Sequence, residues 1–452
     1  MRLSMRPVNS RDLSGHWLVY VCGDPRLCTE PGRTGTPTCT AFKMTDASAP
    51  ASLNTEEEVK NYYGKTLKTS SDLKTSACTS QTGKLPKFIR NALSLVHEEV
   101  TSKYYGCGPV FPTALTGASV LDLGSGSGQD CYTLSKLVGP EGRVVGLDMT
   151  DEQLEVANKH IDYHTKLFNY SEPNIKFVKG YMEKMQEAGL ESNQFDIIVS
   201  NCVINLSKDK RAVLSEALRV LKADTMSAHF LGLYFQVSLS SHATLGTLVD
   251  VAAATSAPQP AIACFLMELQ GPCLTTIMKT GLSRLSFLLV YLCYSAAPFA
   301  IWICECVVGA LYWKDLYKLA KEIGFSTPRL VTAGIFDIED KSYKEFLGDA
   351  KFVSVTYRLF KLPETPSEGA TVTYNGGIEG FDEEFSFDHG IVFKKGEECN
   401  VMAGLASILK HSRYKKHFTI CPGEKRGPGK CSKLEKDPFE FCSERGNKKG
   451  CC

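Results

Sequence analysis

The stretch from Ser119 to Asp148 constrains the fold more than any other part of this chain. Val120-Leu121-Asp122-Leu123 is a short apolar run ended by a turn, which predicts a buried strand. Gly124-Ser125-Gly126-Ser127-Gly128 follows, then a helical segment, a second apolar run at Val144–Leu147, and an acid, Asp148. A glycine-rich turn between a strand and a helix brings backbone close to a bound nucleotide. A dinucleotide enzyme would seat a pyrophosphate on the helix N-terminus. Here Asp122 stands directly before the glycines. It would repel a pyrophosphate, but it suits a ligand that carries an ammonium. Asp148, 26 residues past Asp122, ends the next strand, where an acid can accept hydrogen bonds from a ribose diol.

The same alternation continues downstream. Helix is predicted over Glu152–Leu167 and Lys210–Leu221, and strand over Ile175–Val178 and Phe195–Val199. Strands alternating with helices imply βαβ units and a mostly parallel sheet. Upstream, helices are expected from Asn54 or Thr55 and over Lys87–Tyr105, ended by Gly106-Cys107-Gly108-Pro109. Residues 1–53 are rich in Pro, Gly, Ser and Thr and are expected to be a disordered leader, with Met44 as a natural start. The chain thus divides into leader (1–53), helical segment (54–118), cofactor-binding domain (119–224), low-charge insertion (225–304), remainder of the catalytic region (305–360) and C-terminal domain with tail (371–452). The tail beyond Cys421 is polar and expected to lack structure of its own.

Charge separates some function classes. A net charge of +1 over 452 residues offers no field for nucleic acid or an anionic membrane. The block 225–304 holds only Asp250, Glu268, Lys279 and Arg284 as charged residues, and 285–304 has none. That length could span a bilayer, but a single span would put its flanks on opposite sides and separate the two parts of one site. Translated non-coding sequence or a faulty gene model is the favoured reading of the block, against a membrane anchor or a buried hydrophobic insertion, with a strand around Phe230–Val237 replacing the fifth of the sheet. The 18 cysteines have no framework spacing and no export signal precedes them, so thiols in a reducing cytoplasm are expected.

The acid-glycine turn with its second acid resembles motif I of class I S-adenosylmethionine methyltransferases. FDIIVSNCVIN (195–205) resembles that family's fourth strand and the loop after it. Longer stretches resemble one branch, the arsenite methyltransferases: NYYGKTLKTSSDLKTSAC (61–78), YYGCG (104–108), DLGSGSGQDCYTLSKLVG (122–139), ALYWKDLYKLAKEIGF (310–325) and KFVSVTYRLFK (351–361). The resemblance implies a Rossmann-like α/β sheet with N-terminal helices and a small α+β C-terminal domain. It implies S-adenosylmethionine against Asp122, Gly124, Ser125, Gly126, Gly128, Asp148, Met149 and Asn201. It also implies trivalent arsenic held as substrate by Cys107, Cys202 and Cys306, with Cys78 in a disulfide formed during turnover and thioredoxin or glutathione as reductant.

The chemistry agrees with this. Arsenic(III) is thiophilic, and thiolates are the soft protein ligands. Three sulfurs leave the arsenic lone pair free, so no general base is needed. Cys304 is an alternative to Cys306 as third ligand. The competing functions are methyl transfer to another small metabolite and thiol-based metalloid binding without turnover.

Overall fold

The structure, a computed structural model, describes residues 55–69, 72, 85–106, 108, 110–222, 309–336, 350–363, 366, 368–423 and 435–447, and the backbone of four further strands. Three of these are in the leader, where disorder was expected. Strands β1 (Leu3–Pro7), β2 (Trp17–Cys22) and β3 (Cys39–Lys43) pair antiparallel in order. The WLVYVC run is rich in β-favouring residues. They belong to a unit formed by Met1–Leu53 and Ala253–Cys293; the rest of the chain forms the second unit.

The second unit is built on a mixed sheet. Its strands are β4 (Ser119–Leu123), β5 (Arg143–Asp148), β6 (Ile175–Lys179), β7 (Ile197–Asn201), β8 (Ser227–Val237), β9 (Leu311–Tyr312), β10 (Arg329–Phe336) and β11 (Ala350–Leu359). Their order is β10-β11-β8-β7-β4-β5-β6, with β9 beside β8. The strands from β6 to β8 are parallel, and β11 runs antiparallel to both neighbours. The sheet expected from the sequence is present, and the anticipated strand near Phe230–Val237 is β8. The block beyond Val237, with 285–304, Cys304 and Cys306, lies outside the described residues, as do Cys78 and Cys107. Among the described residues no helix is long and apolar enough to cross a membrane.

Strand β4 is wholly buried, as a central parallel strand must be. Its period of two sends Leu121 and Leu123 into one face, packed with Val213, Leu214 and Ala217 of helix Lys210–Val220. Val120 faces the other side with Cys131, Leu134 and Val138 of helix Gln129–Val138. Each buried Leu or Val contributes roughly 1.5–3 kcal/mol. Asp122 shares Val120's face, so the pleat alone aims an acid at the start of helix Gln129–Val138.

Two expected helices are broken. The 87–105 segment splits into Lys87–Leu93 and Glu98–Thr101, because His97 is extended and its Nδ1 accepts the Glu99 amide at 3.1 Å as a cap. The 152–167 helix breaks at His160 between Asp151–Lys159 and Ile161–Leu167. His160 turns inward, stacks on His97 at 3.9 Å and reaches Glu99 at 2.9 Å. The tail also departs from expectation. Pro438–Asn447 is helical, and Phe441 is buried with Tyr317, Leu330 and Ala333 against the far edge of the sheet.

The small C-terminal domain has its own core, including Tyr374, Phe385, Phe387, Leu409 and Tyr414. A three-stranded antiparallel sheet (Ala370–Tyr374, Glu398–Val401, Phe418–Pro422) and a hairpin (Glu384–Asp388, Ile391–Lys394) surround it. It docks on the segment before β4, where Arg413 Nε donates to the Thr113 carbonyl at 2.7 Å and the Tyr414 hydroxyl meets Thr113 Oγ1 at 3.0 Å.

Candidate active site

Chain order reverses between β4 and β7, and the crevice at their carboxyl ends is where open α/β sheets bind ligands. A cavity opens there. Asp122, Gly124, Ser125, Gly126, Asp148, Met149, Asn201 and Cys202 all line it. Every cofactor residue expected from the sequence is therefore at this wall except Gly128, which starts the helix behind it. The turn requires its first glycine twice over. Gly124 has φ +71°, and a Cβ there would lie 2.4 Å from Val203 Cγ2.

The acids differ in surroundings. Asp148 Oδ2 accepts the Gly126 amide and Oδ1 the Thr150 amide, each at 2.8 Å. Asp122 is buried, and the Cys131 thiol donates to its Oδ2 at 3.1 Å. Burial, with Asp130 nearby, pushes Asp122 up to about 8. Asp130 lines the same wall and sits at about 6, raised by burial and restrained by its hydrogen bonds. Asn201 Nδ2 lies 2.9 Å from Asp130 Oδ2, 2.6 Å from the Tyr104 hydroxyl and 2.7 Å from the Gly108 carbonyl. One amide thus ties strand β7 to both the glycine turn's helix and the segment around position 107.

Cys202 ends β7 in a left-handed conformation, φ +59°, and is buried at the cavity wall. Non-glycine residues seldom occupy this region, and such strain clusters at functional sites. Cys202 is disulfide-bonded here. Three residues on, the Asn205 carbonyl presses against the Gly309 backbone so closely that a Cβ at 309 would lie 1.8 Å from its oxygen.

Comparison with known proteins decides the family. Residues 115–228 match the methyltransferase domain family, and residues 367–452 match the arsenite methyltransferase C-terminal domain family. The arsenite methyltransferase of Homo sapiens is 42% identical over 405 residues, covering 88% of this chain and 94% of that protein. That of Mus musculus is 40% identical over 413 residues, covering 88% and 96%. The crystal structure of an arsenic(III) S-adenosylmethionine methyltransferase from Chlamydomonas reinhardtii is 33% identical, spans 76% of this chain and 98% of that one, and superposes with a TM-score of 0.59. This chain belongs to the arsenite methyltransferase family. It is an S-adenosylmethionine-dependent methyltransferase.

The residues present fit that donor. Ser125 Oγ and Asp130 Oδ1 are buried on the cavity wall and have no hydrogen-bond partner among the described residues, a need that a polar, ammonium-bearing ligand meets. Tyr104, Tyr105, Asp130, Gln153, Glu183 and Ser207 also line this arsenite methyltransferase cavity and were not anticipated from the sequence. Asp130 alone had a signal, being an acid two residues past the last turn glycine. The others come from separate segments that only the folded chain brings together.

Proposed function

We propose that the protein transfers methyl groups from S-adenosylmethionine to trivalent arsenic, as arsenite or methylarsonite, held by the thiolates of Cys107, Cys202 and Cys306. Cys202 carries this reading: a strained, buried cysteine faces the cavity lined by the donor-binding turn. The neighbourhoods of the other two support it. Asn201, next to Cys202, holds the carbonyl of Gly108, next to Cys107. Gly309, three residues past Cys306, abuts the loop three residues past Cys202, and three residues of chain reach about 10 Å.

The bound cofactor supplies an electrophilic methyl on a sulfonium. The chain's part is to hold the arsenic with its lone pair free and to exclude water. The acceptor loses no proton, so no general base is required. The arsenic lone pair would form the As–C bond as the S–CH3 bond of the donor breaks, with the bonding pair left on sulfur in S-adenosylhomocysteine; arsenic rises from III to V, and two thiols return it to III and leave as a disulfide. Glutathione or thioredoxin supplies them and also reduces the Cys202 disulfide, with Cys78 joining a disulfide during turnover. Such a thiol-dependent cycle belongs in the cytoplasm.

The test is incubation with arsenite, S-adenosylmethionine and glutathione, with methylarsenicals quantified by mass detection. Cys202→Ser is expected to lose roughly 100-fold or more in product formation. Retained arsenite methylation in Cys202→Ser would overturn the thiolate reading, and Cys306→Ser against Cys304→Ser separates the two candidates for the third ligand.

A further inference from the structure

The glycine turn is bordered by two buried carboxyls, Asp122 and Asp130, and they differ in their partners. Asp122, the acid that precedes the glycines, is 2% exposed, and its Oδ2 is taken by the Cys131 thiol at 3.1 Å. Its burial beside Asp130 and Asp148 favours its protonated form.

Asp130 sits on the first turn of helix Gln129–Val138 and is 6% exposed. Its Oδ2 accepts from Asn201 Nδ2 at 2.9 Å and from the Tyr104 hydroxyl at 3.5 Å. Among the described residues its Oδ1 has no hydrogen-bond partner, although the residue lines the cavity. Burial raises its pKa, and the Asn201, Gln129 and Tyr104 side chains oppose that rise by favouring its charged form. A buried, ionised oxygen without a donor is costly unless a ligand completes it. Lys103 also lines the cavity, but no ion pair among the described residues joins it to Asp130.

We propose that Asp130, not Asp122, is the carboxylate that receives the α-ammonium at the methionyl end of the methyl donor. The assignment deepens the donor-binding half of the proposed function and does not depend on arsenic. It also links the two halves, because the Asn201 amide that holds Asp130 holds the Gly108 carbonyl and adjoins Cys202. Asp130 thereby holds the donor's tail beside Asn201, the residue that precedes Cys202.

The test is calorimetric titration of the reduced protein with S-adenosylhomocysteine, which carries the ammonium, and 5′-methylthioadenosine, which lacks the amino-acid end. Asp130→Asn is expected to weaken the first by roughly 30-fold or more, as for a lost charge-assisted hydrogen bond, and the second by less than about 3-fold. Asp122→Asn is expected to leave the ratio of the two affinities unchanged. Equal weakening of both ligands by Asp130→Asn, or a selective loss in Asp122→Asn, would overturn the assignment. The wild-type protein gives an independent reading. As pH falls and Asp130 takes up a proton, the homocysteine ligand should lose affinity relative to methylthioadenosine; a ratio that stays flat from pH 7 down to the lowest pH at which the protein remains folded also rejects the proposal. Neither titration contains arsenic, so this assignment and the methyl acceptor fail or stand separately.

Discussion

The half of the sheet that carries the cofactor turn runs without interruption from Ser119 to Lys222. The other half is gathered from Ser227–Val237, Arg329–Phe336 and Ala350–Leu359. In the first half, each strand packs on a helix that adjoins it in sequence, and successive parallel strands are joined by short crossovers. The far half pairs distant segments antiparallel, with Ala228 opposite Leu359 and Arg329 opposite Arg358. It is covered from outside. The C-terminal domain supplies Asp388 to Arg329 at 3.4 Å and the Phe387 carbonyl to Arg358 Nη1 at 2.7 Å, and the tail helix supplies Phe441. The turn half is backed mainly by its own crossover helices, whereas the far half adds to helix Trp313–Ile323 supports borrowed from the C-terminal domain and the tail.

The largest test of this contrast is Asp388→Ala. Both members of the Arg329–Asp388 pair are buried, and burial shifts each toward its neutral form. Removing the acid leaves a guanidinium buried without its partner, which costs about 3–5 kcal/mol. Urea denaturation should show that loss. Amide exchange should accelerate in β8, β10 and β11 before it does in β4 and β5. Uniform acceleration across the sheet would mean that the halves open together and the contrast is wrong.

The same contrast explains what could be read from the chain. Val120–Leu123, the glycines and Asp148 form a local pattern, and local patterns survive translation into structure. His97 broke one predicted helix by capping the next turn locally, and His160 broke the other where it meets Glu99 and His97, far away in sequence. The helix Pro438–Asn447 was invisible because its apolar face is small, and only the edge of β10 gives Phe441 a place to bury. Asp122 shows a subtler limit. Its position before the glycines was legible, but the thiol of Cys131 and the carboxyl of Asp130 set its protonation, and those neighbours appear only once the helix is packed on the strand.

Acid should strike the turn half through His164. Its Nδ1 donates to the His160 carbonyl at 2.8 Å and its bare Nε2 accepts the His97 amide at 3.2 Å, beneath a stack on Tyr132. Burial lowers it to about 4, so the folded state holds fewer protons than the unfolded one between about pH 4 and 6.5. Its contribution is complete above about pH 6.5 and is lost as pH falls toward 4. Asp122 and Asp130 have the opposite sign: raised in the fold, they favour the folded state at low pH and oppose it as pH rises toward 6 and 8. Comparison with His164→Gln isolates the histidine. The stability advantage of the wild type should shrink by about 2 kcal/mol between pH 7 and 4.5. A constant gap would show that His164 does not carry the response.

The smallest effect is expected where the two halves touch through surface charge. Arg211, on the helix Lys210–Val220 that supports the turn half, pairs with Glu322 on the helix Trp313–Ile323 under the far half. Both side chains are well exposed, at 57% and 38%, so solvent screens the pair and side-chain entropy opposes it. A double-mutant cycle with Arg211→Ala and Glu322→Ala should give a coupling of about 0.5 kcal/mol, fading as salt rises. The core shared beneath these helices, Leu214 and Ala217 with Leu316 and Ala320, then carries the attachment of one half to the other. A coupling above about 2 kcal/mol would mean that charge clamps the halves together, and the far half would owe part of its stability to the turn half as well as to the C-terminal domain.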